Sequence, residues 1–345
     1  MTKPAFDSLM NQLAQAGLGA TYIRGMMPDW VSRAAVETET GLVELKLLLA
    51  RRFGLNTESL LMEPPRVEFI LPASPRFKRS IRLSDQNLTA TASIAVAVTR
   101  ILVTAMARPY VAPGSPADIR KFVFSHGGKW VSLRGLLKYC LYHGIPVIPL
   151  RQLPDGMPKM DGMVVKLDDY PAIVIAKSTP YKAWYSFILA HELGHIYRGD
   201  IRDNEILIDD DFQIVLSGAK GKDEDEIAAD EFAMEILSGD AKTTAPNLDL
   251  TQKPPELARA AMELGSRTQT DPGHLLLRLA YATGEWQRAI AALQVIDRNT
   301  EAYQDLSDCL SWSWDPELLS AENTEFLLKV SGTGPFAGID DDRPG

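Results

Sequence analysis

Apolar positions recur at helical spacing over most of this chain, and the few stretches that break the rhythm mark its organisation. Residues 6–18 and 41–54 read as helices. In the second, Leu42, Val43, Leu45, Leu48, Leu49 and Phe53 recur at helical intervals, and Gly54 is a natural stop. A break carrying Pro64, Pro65, Pro72 and Pro75 follows, then an Ala/Thr/Val-rich helix over 88–107. Residues 109–116 read as a linker. Beyond it the pattern predicts two helices and a short buried strand, Ile145 to Ile148. Two β-branched runs, 162–167 and 172–176, flank Asp168-Asp169-Tyr170-Pro171 and predict a hairpin. Helices are then expected from 180–182 past residue 195, over 223–237 and through 255–295, with Asp271 and Pro272 as an N-cap and first-turn pair. The tail from Gly332 reads as frayed. These divisions suggest a helical domain over 1–62, helix-turn-helix-like in size. A basic, Pro-containing segment with a helix and linker covers 63–115, a central domain 116–285, and a helical segment with tail 286–345.

Composition narrows the class. With 46% hydrophobic and 23% charged residues, the 345-residue chain can build a sizeable core. A net charge of -9 argues against a general nucleic-acid binder. Residues 1–110 nevertheless hold 13 basic against 9 acidic side chains. Their one basic cluster, Arg76, Lys78, Arg79 and Arg82, reads either as a solvated loop or as a contact to a nucleic-acid backbone. The two cysteines make no disulfide framework, which suits a cytoplasmic protein. The 88–107 helix contains Arg100, costly at a bilayer centre, so it is expected to be buried in protein and no membrane partner is expected.

The chemistry concentrates in His191-Glu192-Leu193-Gly194-His195. Residues four apart share a helix face, so two imidazoles at this spacing point to one ion. Glu192, offset by one residue, reaches the space beside that ion and is suited to be the base that takes a proton from an attacking water. Catalytic zinc usually takes three protein ligands, so a third is needed. Glu226 fits, because it shares a helix face with Ala229, Ala233, Ile236 and Leu237, where a carboxylate wants a cation. The plainer account is favourable crowding of acids at a helix N-terminus. Asp230, one turn on, suits a hydrogen bond to a ligand histidine, or is simply solvated. Ile173, Val174 and Ile175 would receive an extended substrate if their strand has a free edge; otherwise the hairpin is ordinary core.

These residues resemble the ImmA/IrrE metallopeptidase family. The likeness lies in Ala190 to His195 after the hairpin and in Glu226 to Leu237, an E-x-x-A-(N/D)-x-F-A helix. It spans roughly 120–285 and implies an α+β fold: a mostly helical zincin-like domain with a small antiparallel sheet, an N-terminal helical domain and a C-terminal helical segment. It further implies a Zn2+-dependent, site-specific endopeptidase that cleaves a DNA-binding repressor in a stress, phage or mobile-element response. By this resemblance His191, His195 and Glu226 are ligands and Glu192 the base. The chain departs from the pattern at Trp184 to Phe187 and at the polar run Tyr197-Arg198-Gly199-Asp200, neither of which is expected to touch the ligands. The alternative is a non-enzymatic transcriptional regulator or toxin–antitoxin component with a structural zinc. Such zincs favour four Cys or His ligands, and Glu192 would then have no purpose.

Overall fold

The structure is a computed structural model that describes residues 2–28, 31, 38–71, 76–77, 86–154, 160–209, 224–241, 245–297 and 302–333. Its first helices are α1 (Thr2–Gln15), α2 (Ala20–Met26), α3 (Glu39–Phe53), α4 (Thr57–Leu61), α5 (Gln86–Val103), α6 (Pro116–Ser125) and α7 (Leu133–Tyr142). Then come α8 (Lys182–Arg198), α9 (Glu224–Ser238), α10 (Pro254–Thr268), α11 (Pro272–Thr283), α12 (Trp286–Ile296), α13 (Ala302–Ser313) and α14 (Ala321–Ser331). The strands are β1 (Arg76–Phe77), β2 (Val147–Pro149), β3 (Gly162–Leu167), β4 (Tyr170–Ile175) and β5 (Glu205–Asp209). Several helix ends follow from local chemistry: Thr38, Asn56, Ser132, Asp271 and Ser320 accept first-turn N–H groups, and Gly54, Gly199, Gly284 and Gly332 close helices in the left-handed conformation.

The chain is thus α+β and mostly helical, around one five-stranded sheet of order β1-β5-β3-β4-β2. The sheet is mixed, which corrects the antiparallel expectation. β3 runs antiparallel to β4 and β5, whereas β2 joins β4, and β1 joins β5, in parallel. A hairpin is legible locally, but the outer strands arrive from distant sequence, and only a crossover can make them parallel. The β3–β4 turn is also tighter than expected. Asp168 and Asp169 both take positive φ (48° and 67°), the two-residue form that suits strand twist, and Tyr170 and Pro171 already belong to β4.

Both faces of the sheet are covered. Met163, Val165, Ala172, Val174, Ile206 and Ile208 point into a core shared with α1 to α5 and with Phe326, Leu327 and Val330 of α14. Val164, Ile173, Ile175 and Leu207 point the other way, into a core built from α6 to α12. The Ala/Thr/Val-rich α5 is buried along nearly its whole length, and no helix among the described residues is long and apolar enough to cross a membrane. Because β4 and β5 run alike on either side of β3, the chain between them crosses the second face as α8. That crossover carries the His191–His195 motif.

One expectation changes here. β4 is paired on both sides: Ile173, Val174 and Ile175 face Val147, Ile148 and Pro149 of β2 and Val164, Met163 and Gly162 of β3. They are central residues with no free edge for a substrate strand. The β2 edge itself is covered by α13, which sends Leu306 and Cys309 into one core and Leu310 into the other. In the basic cluster, the Arg76 backbone pairs with Leu207 in β1, while Lys78, Arg79 and Arg82 lie outside the described residues.

Candidate metal centre

α8 is apolar almost all round, so its polar side chains are buried with it: His191 is 1% exposed, and Glu192 and His195 are fully buried. α9 lies along α8 and presents Glu226 and Asp230 to it. The close approach of the two helices requires Gly194. A Cβ there would sit 3.2 Å from the Ala229 Cα and 3.2 Å from a Phe232 ring carbon. The glycine of the motif is therefore a packing residue, and it brings the third acid within reach.

The two imidazoles are held alike. His191 Nδ1 lies 3.0 Å from Asp230 Oδ1, and His195 Nδ1 lies 2.9 Å from Asp200 Oδ2. A carboxylate accepts, so each ring donates through Nδ1 and directs its Nε2 lone pair inward. Those two Nε2 atoms stand 3.0 Å apart. Glu226 completes the set, with Oε2 at 3.6 Å from His191 Nε2 and Oε1 at 3.4 Å from His195 Nε2. Two converging lone pairs and a carboxylate repel unless a proton or a cation sits among them. The spacing suits a metal, since tetrahedral ligands about 2.0–2.1 Å from zinc lie roughly 3.3 Å from each other. His191, His195 and Glu226 offer donor atoms that all lie within 4.8 Å of one another, and the residues fit the ion.

Glu192 faces the sheet. At Gly162, the first residue of β3, an added Cβ would collide with Glu192 Oε1 and touch Ile188 Cγ2 at 3.0 Å. The missing side chain leaves room for the glutamate. Of His191, Glu192, His195 and Glu226, Glu226 is the most open, its side chain 12% exposed.

The polar run after the motif also touches a candidate ligand, His195, contrary to expectation. Gly199 turns the chain in the left-handed conformation (φ 71°), and the Asp200 N–H then donates to His195 O at 3.1 Å. This fold-back delivers the Asp200 carboxylate to the ring of the same histidine. Burial raises the Asp200 carboxyl, but bonds from His195 and Arg198 outweigh it and hold the group below the usual range. Sequence reasoning missed Asp200, Gly194 and Gly162. A glycine inside an apolar helix and an acid just past a glycine stop were the available signals.

No family model matches this sequence, and neither the curated proteins nor the solved structures compared with it give a significant match.

Proposed function

We propose that this protein is a zinc-dependent endopeptidase of ImmA/IrrE type that cleaves a regulatory protein, a DNA-binding repressor, in the cytoplasm. The observation that carries the reading is the convergence of His191 Nε2, His195 Nε2 and Glu226, with each ring oriented from behind by an aspartate. When bound, zinc lowers the pKa of water to about 7 and polarises a carbonyl. The chain's own residues do the rest. Asp230 and Asp200 keep both imidazoles in the ligating tautomer, and Glu192, buried on the same helix, takes the proton from the attacking water and passes it to the leaving amine. A structural zinc would leave this buried acid without a task. Two free, buried cysteines, Cys140 and Cys309, agree with a reducing compartment.

The test is Glu192→Gln in the full chain, with metal content and cleavage of DNA-binding repressor proteins both measured. We expect one zinc retained and cleavage reduced by about 10²–10⁴-fold, the usual contribution of a general base. Unchanged cleavage, or a wild-type protein that holds no zinc, would defeat the proposal.

A further inference from the structure

Arg198 ends α8, and its guanidinium reaches in two directions. Nε donates to Asp200 Oδ2 at 3.1 Å, the same oxygen that lies 2.9 Å from His195 Nδ1. Nη2 donates to Asp225 Oδ1 at 3.1 Å. Asp225 stands in the first turn of α9, immediately before Glu226. One planar group therefore joins the loop that orients a ligand ring to the helix start that carries the carboxylate ligand.

We propose that Arg198 is a positioning residue for the metal centre, fixing the His195 ring and the Glu226 helix relative to each other through Asp200 and Asp225. The inference rests on the zinc reading of the site. The fork of a guanidinium can hold two carboxylates at once, whereas a lysine offers one compact charge that reaches either. The Arg198 and Asp225 side chains are 33% and 38% exposed, and ion pairs so open to water add little to overall stability. Their effect is expected in the ligand geometry instead.

The full-length protein is titrated with zinc against a competing chelator, and the visible spectrum of its Co2+ form is recorded. Thermal unfolding of the metal-free chain serves as the control. Arg198→Met should weaken zinc binding by about 10-fold or more, as expected when support behind a ligand is lost, and should shift the Co2+ bands. Its metal-free melting temperature should stay within about 2 °C of wild type. Arg198→Lys should recover part of the affinity. Asp225→Asn, at an exposed position, should lose several-fold by releasing the α9 arm alone, and it decides the matter if Arg198→Met does not fold. Wild-type affinity and an unshifted Co2+ spectrum in Arg198→Met and Asp225→Asn would overturn the inference while leaving the zinc reading intact. A wild-type chain that takes no zinc would remove that reading itself, before any variant is compared.

Discussion

His274 shows how one buried side chain sets a pH response. It is fully buried on α11 and stacked on Phe187, with ring centroids 6.4 Å apart, and neither ring nitrogen has a hydrogen-bond partner among the described residues. Burial, with Arg278 adding to it, pushes its pKa down to about 3. The folded ring stays neutral where the unfolded ring, near 6.5, takes a proton. Its contribution to stability is therefore present above about pH 6.5 and lost as pH falls toward 3. Asp271, the N-cap of the same helix, has the opposite sign. Burial pushes its carboxyl up to about 6, despite N–H bonds from His274 and Gly273, so its contribution is lost as pH rises from about 4 to 6. Replacing His274 with Leu should remove the first effect and leave the second. We expect the wild-type melting temperature to fall more than that of His274→Leu between pH 7.5 and 5.5; parallel curves would contradict the assignment.

At the scale of elements, two glycines make room for Glu192 and for the helix that carries Glu226, and under the proposed function their substitutions should separate fold from chemistry. Gly162→Ala meets only the flexible end of Glu192 and the Ile188 methyl, so the chain can fold while the glutamate moves. Cleavage should drop at least 10-fold with zinc content unchanged, and full activity would show that Glu192 tolerates a new position. Gly194→Val meets the α9 backbone, which cannot retreat cheaply. Overpacking should cost roughly 1–3 kcal/mol in denaturant unfolding and weaken zinc as well, since Glu226 rides on the displaced helix. Neither glycine role was legible in the sequence, because each depends on a neighbour from another element. The candidate cluster was legible: His191, His195 and the apolar-faced Glu226 were singled out from spacing along single helices, and the structure brings their donor atoms within 4.8 Å of one another. Strand β5 was not, since Ile206-Leu207-Ile208 is a short apolar run without alternation, buried on both sides.

For the whole molecule, the N-terminal helices and α14 close the face of the sheet opposite the candidate metal centre. Buried Arg52 donates to Met26 O and to Glu322 O, the latter at 3.2 Å, and its guanidinium lies 5.0 Å from the Phe326 ring centre. Lys329 donates to Met27 O at 2.7 Å. Helices α2 and α3 meet α14 here, a relation no local pattern could reveal. Phe326 is fully buried and edge-on to Phe53. Phe326→Ala should cost about 3–5 kcal/mol. Because both cores are built on the same strands, calorimetry should show one transition lowered as a unit; an early melt with the metal-site half unmoved would show that the faces unfold independently. The paired strands carry one more implication. A strand with one wet face is locked in frame, because a slip by one residue would turn its oily side chains to water. β3 has no wet face over Gly162 to Val165, so polarity cannot detect such a slip. Its frame rests instead on the Asp168-Asp169 reversal at one end and, at the other, on the one residue small enough to stand against Glu192. Correct strand pairing and a correctly seated Glu192 are thus secured by the same missing methyl group.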